Sequence, residues 1–371
     1  MNRHVVAGGL LLVAQIGTAQ TTPPPPAPPR QLTLPKPSEK TLKNGLRVIV
    51  VPKHGTPLVS SRLMVLTGSE EDTREFAGLA NLTASLVTQG TKSRTAEQIA
   101  RGVEALGSTL HTSAGWHMSA VDVTVMPANL ASALDYVSDV VRNPSFKQEE
   151  IERLREQSID SLRVSLQEPL SLARYVAARV VFQETPYGQN IAGTPESLER
   201  IGREQIAGFH RRYYRPDNAV LVIAGDIKPD AAFAVAQKAF GSWKGQPLGV
   251  RGQVEKIATD PPKPRVVVVD MPDAGQAAVV VTRRGLRRVD PQYFTAIVAN
   301  SVLGGGYSSR LNQEIRIKRG LSYGAGSTFE LRREEGPFTA WTQTKNESAD
   351  EVASLIIDEM NRLASAELTN V

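Results

Sequence analysis

Short apolar blocks alternate along this chain with stretches in which apolar residues return every three or four positions, and the change of period marks out its elements. Residues 41 to 66 predict strands: TLKNGLRVIVV holds an Asn44-Gly45 turn between apolar alternations, and PLVSSRLMVLTG follows. Helical spacing covers 76 to 90 and 95 to 106, the second opened by Thr95 with Gln98 three residues on, a capping box. Two strands come next, STLHTSAG and WHMSAVDVTVM, then a helix at 129 to 142 whose apolar face is Leu130, Leu134, Val137 and Val141. A long charged helix covers 147 to 166, another starts at Pro169, and a short one spans 203 to 214. The continuous apolar run NAVLVIAGDI, residues 218 to 227, predicts a buried strand, and a last helix ends near Phe240. Together they predict one α+β domain over residues 40 to 241, with helices laid on a largely antiparallel sheet.

Residues 242 to 263, SWKGQPLGVRGQVEKIATDPPK, have the glycine and proline content of an interdomain linker. From 264 to 371 the same order recurs: strands at 265 to 270 and 276 to 283, helices at 290 to 303 and 307 to 319, and strands at 323 to 331 and 337 to 344. A helix whose face is Val352, Ile356, Met360 and Leu363 closes the series. Even the turns correspond, AEQIARGVEALGSTLHTSAG in the first half facing NQEIRIKRGLSYGAGSTFEL in the second. The fold class expected is therefore α+β with two homologous domains. The first copy continues for about a hundred residues beyond the point where the second stops, so either the chain is cut there or its second domain is short.

The first twenty residues stand apart from this pattern. MNRHVVAGGLLLVAQIGTAQ has a basic start, an apolar run and small residues at its exit, Gly17 to Ala19, which predicts a secretory signal peptide over 1 to 20. The apolar run is short against the ~20 residues of a membrane span. Residues 21 to 39, opening TTPPPPAPPR, predict an extended proline-rich tether. No later stretch is long and apolar enough to cross a bilayer, so the expected location is the periplasm, without stable membrane insertion.

With no cysteine, disulfides and thiol catalysis are excluded. Lys and Arg number 43 against 38 Asp and Glu, a net charge of +5, but the two signs alternate along most of the chain. Aromatics at 5% do not interleave with the basic residues, so no nucleic-acid platform is expected. One local cluster, Arg283, Arg284, Arg287 and Arg288 in TRRGLRR, suits an acidic partner or a solvated loop. The carboxylates Glu149, Glu150, Glu152, Glu156 and Asp160 interleave with Arg153 and Arg155, as a solvated helix face laced with ion pairs does.

The chemistry turns on GLANLTASLVTQGT, residues 78 to 91. Leu79, Leu82 and Leu86 recur at helical spacing, Gly90 sits where a C-terminal cap would, and Asn81, Ala84 and Ser85 share one face. Taken in order, NGLRVIVVP, GSEEDTREFAGLAN, QGTKSRT and FHRRYYRPDNAVLVIAGDI resemble the M16 metallopeptidases, the inverzincin family of pitrilysin, insulin-degrading enzyme and the mitochondrial processing peptidase. In active members the opening helix carries H-x-x-E-H, two histidine ligands for zinc and a glutamate general base, and a later helix supplies a third ligand, also a glutamate.

The resemblance puts Asn81, Ala84 and Ser85 on the motif positions and Ser161, or a neighbour in REQSIDSLRVSLQEP, on the third. A carboxamide, a methyl and a hydroxyl are no zinc ligand set, so neither metal nor cofactor is expected in this chain. Of the five histidines, His4 lies in the leader, and His54, His111, His117 and His210 form no pair three or four apart. His111 and His117 could approach only across a hairpin.

In the family the C-terminal half supplies an arginine and a tyrosine seven residues apart that reach toward the zinc site. The resemblance assigns those roles to Arg316 and Tyr323 in EIRIKRGLSYGAGSTF, at that separation. A guanidinium and a phenol both suit a carbonyl oxygen that gains negative charge as water attacks. LGGGYSSR, residues 303 to 310, brings Gly304, Gly305 and Gly306 before the same helix, where backbone amides could approach a peptide, or where a plain tight turn is needed. It lacks the lysine of a phosphate loop.

His111, Thr112, Ser113 and Ala114 align with the edge strand to which substrate adds in the family. The resemblance thus implies the non-zinc subunit of a two-chain peptidase, paired with a zinc-bearing subunit that has an intact H-x-x-E-H and acting on a peptide. A non-enzymatic peptide-binding or structural subunit is the alternative.

Overall fold

The computed structural model describes residues 34–245 and 263–365. The signal peptide and most of both predicted linkers lie outside the described residues. From Lys36 onward the described chain forms one compact unit in which two sheets can be told apart.

The first sheet begins with the predicted hairpin. β1 (Ser38–Thr41) and β2 (Arg47–Pro52) pair antiparallel around Gly45, whose φ of +92° is left-handed backbone that glycine adopts without penalty. Asn44 Nδ2 donates to the Phe240 and Trp243 carbonyls at 2.8 and 3.0 Å, tying this turn to a helix end almost two hundred residues away.

β3 (Val59–Val65) follows, then α1 (Leu79–Leu86), α2 (Ala96–Glu104), β4 (His111–Ala114), β5 (Ser119–Val125) and α3 (Leu130–Arg142). Next come α4 (Gln148–Leu166), α5 (Pro169–Phe182), α6 (Pro195–Arg200), α7 (Arg203–Tyr213), β6 (Ala219–Gly225) and α8 (Pro229–Phe240). The strand order is β1-β2-β6-β3-β5-β4, and only the β2–β6 pair is parallel.

β6 lies in the middle of this sheet, which explains its unbroken apolar run: both of its faces are covered. β3 instead buries Val59, Ser61, Leu63 and Val65 and turns Ser60 and Arg62 outward. Leu130, Leu134, Val137 and Val141 of α3 pack into the same core, as their spacing predicts. The capping box at Thr95 and Gln98 is present with both of its bonds.

The second sheet is smaller. β7 (Ala277–Arg284), α9 (Tyr293–Leu303), a π-helix (Asn312–Lys318), β8 (Ala325–Phe329), β9 (Pro337–Thr344) and α10 (Ala349–Ser365) give the order β7-β9-β8, antiparallel throughout. This repeats the β3-β5-β4 half of the first sheet with its intervening helices, as the internal repeat predicts. Val352 and Ile356 of α10 are fully buried, with Met360 and Leu363 packed beside them.

Two expectations fail here. Residues 265 to 270 form no strand: β2, their counterpart, pairs with β6, and among the described residues the second sheet has no such partner, so Val266 and Val268 stand 90% and 85% exposed. The helix predicted over 307 to 319 starts only at Arg310 and widens at once to π geometry. There Glu314 pairs with both Lys318 and Arg319, and Gly320 at φ +64° ends it.

The halves meet in two places. α5 packs along β7, where the Arg174 guanidinium lies 4.7 Å from the Trp341 ring centre. The loop between β8 and β9 reaches back to the first sheet, and buried Arg332 sits among the rings of Trp116, Tyr187 and Phe182.

Candidate functional site

α1 is held from below by its own N-terminal approach. Asp72 is buried and accepts the amide hydrogens of Gly78 at 3.2 Å and Ala80 at 3.0 Å, so a carboxyl group closes the helix N-terminus from six residues upstream. Burial pushes this carboxyl up to about 7 against the pull of the two amides. Gly78 has φ +94°, and a Cβ there would meet the Ala192 carbonyl oxygen at 2.9 Å, so glycine is required on both counts. Tyr213 adds a bond from its hydroxyl to Glu71 at 2.9 Å.

The accessible stripe of α1 carries Asn81 and Ser85 and runs on past its C-terminus to Thr88 and Gln89, while Ala84 turns inward at 2% exposure. The hydroxyls on this stripe are occupied by their own helix: Ser85 Oγ donates to the Asn81 carbonyl at 3.1 Å and Thr88 Oγ1 to the Ser85 carbonyl at 3.4 Å. Gln89 continues the ladder to Thr88 and accepts from Arg153 of α4 at 2.9 Å. The Asn81 carboxamide makes no side-chain hydrogen bond among the described residues.

α4 does pack on α1, so the two helices expected to flank the site are together. Ser161 itself is exposed, on the far side from Ile159 and Leu162, and donates to the Gln157 carbonyl at 2.8 Å. Neutral groups bonded to helix carbonyls offer zinc neither the charge nor the convergence it needs, so the residues present do not fit the metal. The histidines do not assemble another site. His54 bonds Asp226, His111 bonds Thr109, His117 bonds Glu70, and His210 bonds the Val141 carbonyl. Among the described residues no group of three or more His, Asp or Glu side chains could hold a metal ion.

Arg316 and Tyr323 stand on the second half, and among the described residues no hydrogen bond or ion pair joins them to Asn81, Ala84 or Ser85. The Arg316 guanidinium lies 4.8 Å from the ring centre of Tyr307, a partner the sequence reading did not single out although it stands in the LGGGYSSR turn. Tyr323 is 88% exposed.

The glycine turn is built for packing. A Cβ on Gly304 would meet Ser327 Oγ at 2.3 Å, and the amides of Gly304 and Gly305 both donate to the Asn300 carbonyl at 2.9 Å. Those two amides thus close the end of α9, whereas Gly306 has open space around it. The turn is pinned to β8 by Ser327 N–H donating to the Gly304 carbonyl and by paired bonds between Asn300 and Ser327. It fixes the start of the helix that carries Arg316.

β4, residues His111 to Ala114, is the last strand on its side of the first sheet. It pairs with β5 alone, so every other amide and carbonyl along it faces away from the sheet. In the basic run Arg283, Arg284, Arg287 and Arg288, Arg287 pairs with Glu334 and Arg288 lies over the Tyr293 ring.

Comparison with known families decides the relationship. Residues 47–195 match the family model described as insulinase (peptidase family M16), and residues 200–370 match the peptidase M16 inactive domain. The chain belongs to the M16 peptidase family. An uncharacterized zinc protease of Mycobacterium leprae is 29% identical over 304 residues, covering 81% of this chain and 67% of the relative. The structure of a peptidase M16 inactive domain from Pseudomonas fluorescens superposes with a TM-score of 0.84 at 26% identity, over 90% of this chain and 80% of that one. A protease from Helicobacter pylori shares the fold at a TM-score of 0.85 and 22% identity, over 91% of this chain and 82% of that one. Among the described residues no helix is long and apolar enough to cross a membrane.

Proposed function

We propose that this M16 protein is the non-zinc subunit of a two-chain periplasmic peptidase. A partner of the same family with H-x-x-E-H would bring zinc and the general base, and this chain would close the peptide chamber. The observation that carries the reading is a contrast between the halves. The α1 face has lost every ionisable group the family uses there, whereas Arg316 and Tyr323 persist at the family's spacing on a half where Tyr323 is open to solvent.

In this role a substrate peptide adds to the free edge of β4 through main-chain bonds along His111, Thr112, Ser113 and Ala114. The glycine turn at Gly304, Gly305 and Gly306 sets the helix start, and Gly306 leaves room for a peptide backbone. Arg316 donates to the carbonyl oxygen as negative charge builds on it, and the Tyr323 hydroxyl supplies a second, neutral donor. Arg316 is parked on the Tyr307 ring, which holds its planar guanidinium in place.

The test is to purify the chain alone and together with an M16 chain bearing H-x-x-E-H, and to assay cleavage of a peptide library. Turnover only in the mixture, lowered about a hundredfold by Arg316→Ala, is the expected result. A mixture in which Arg316→Ala and Tyr323→Phe leave turnover unchanged favours the non-enzymatic peptide-binding role.

A further inference from the structure

A hollow lies in the first half where α3 and α7 meet the end of α8. Its volume is about 570 Å³, within the range of small-molecule sites. Lys92, Arg142, Arg203, Arg211 and Lys244 all line it, and no carboxylate does. Arg215, also on its wall, is the one lining cation that is paired, with Asp217. The other five make no ion pair among the described residues.

Part of this basic character is structural. Arg142 donates to Ser138, Ser242 and the Ala239 carbonyl, and Arg203 donates to the Phe146 and Ser145 carbonyls. These bonds fix both guanidinium groups without neutralising them. Lys92, Arg211 and Lys244 make no side-chain hydrogen bond at all among the described residues. The floor is rigid: His210 stacks on Tyr214 with ring centres 4.7 Å apart and meets Phe146 edge-on at 5.3 Å. His210 is itself neutral, burial holding it down at about 4, so the positive field comes from the rim.

Like charges repel, and five uncompensated cations gathered round one rigid hollow without a carboxylate call for an anion to complete them. We infer that this hollow binds a multivalent phosphate anion, its oxygens taken by the guanidinium groups of Arg142, Arg203 and Arg211 and by the ammonium groups of Lys92 and Lys244. Phosphate suits it better than a carboxylate side chain, because several oxygens on one centre can meet several fixed forks at once. Nothing in the peptidase reading uses these residues, so the two stand or fall separately.

The test uses the whole chain and pyrophosphate as the probe, by calorimetry and thermal shift against sodium chloride of equal ionic strength. Binding is expected, weakening steeply as salt rises because the Debye length shrinks from about 30 Å at 0.01 M to about 8 Å at 0.15 M. Lys92→Glu with Arg211→Glu touches no internal bond and should weaken binding about tenfold or more, with the circular dichroism spectrum unchanged. Cosedimentation with phosphatidylglycerol vesicles separates the sources: vesicle binding that pyrophosphate displaces assigns a lipid headgroup, and pyrophosphate binding without vesicle binding assigns a soluble phosphate. No binding of either beyond the chloride control, or equal binding by the doubly substituted chain, overturns the inference.

Discussion

Arg333 Nη1 donates to Glu70 Oε1 at 2.6 Å, joining the loop between β8 and β9 to a carboxylate 263 residues earlier whose side chain is fully buried. The other oxygen of Glu70 meets His117 Nδ1 at 2.6 Å, and the backbone N–H of Arg333 donates to His117 Nε2 at 3.0 Å. Nε2 is therefore the acceptor and Nδ1 carries the proton. One loop residue thus satisfies both a charge and a ring nitrogen of the other half.

Arg333→Ala leaves Glu70 buried without its cation and should lower stability by about 3 kcal/mol in urea denaturation. Hydrogen exchange should rise first in residues 330 to 336. A loss below about 0.5 kcal/mol would show that the halves are held without this contact.

Asp72 sets a pH dependence with a defined sign. The folded state keeps its proton up to about 7, whereas the unfolded chain releases it near 3.8, so the folded form binds more protons between those values. The contribution is complete below about 4 and is lost as pH rises to about 7, by on the order of 4 kcal/mol. Asp72→Asn should flatten the slope between pH 4 and 7 in thermal melts, at some cost in overall stability. A slope unchanged in that variant rules Asp72 out as its source.

His210 acts in the opposite direction. Its folded value of about 4 lies below the ordinary 6.5, because the ring is buried, so the unfolded chain takes up its proton first as pH falls. Stability that is full above about 6.5 declines toward pH 4, by on the order of 3 kcal/mol. Replacing His210 by Gln should remove that acid slope. Because Asp72 works against it in this window, the clean comparison is between His210→Gln and the parent chain over pH 4.5 to 6.

Tyr307 and Gly304 bear on Arg316 without touching substrate in the proposed role. Tyr307→Ala takes away the ring under the guanidinium, and Gly304→Ala forces a Cβ against Ser327. In the two-chain mixture both should lower kcat several-fold with little change in the thermal melt of the first half. Restored turnover in Tyr307→Phe, which keeps the ring face, distinguishes positioning from general damage.

Much of this was legible in the sequence, for physical reasons that can be named. Local signals carried through: the Asn44-Gly45 turn, the capping box at Thr95 and the continuous apolar run of β6 each reflect contacts a few residues long or burial on both faces. α6 escaped the sequence reading although Thr194 and Pro195 announce it, with Ser197 closing a second capping box. Residues 265 to 270 looked like a strand because valines favour one, but a strand needs a neighbour, and among the described residues the second sheet offers none.

The same limit hid the contacts among Glu70, His117 and Arg333, and the basic hollow. Its five cations are scattered from Lys92 to Lys244 in sequence, while in the cluster that stood out there Arg287 pairs with Glu334 and Arg288 lies over the Tyr293 ring. For the candidate site, the neutral face of α1 could be read directly, but the bonding of its hydroxyls to helix carbonyls and the ring beneath Arg316 required coordinates.

The claim on which the proposed role depends is that α1 and α4 of this chain cannot hold zinc. Metal content settles it most directly: the purified chain is equilibrated with zinc, passed through gel filtration and assayed by mass spectrometry for metal. The expected result is zinc at background, unchanged by Asn81→Ala. Stoichiometric zinc that survives gel filtration and is lost on that substitution would contradict the account.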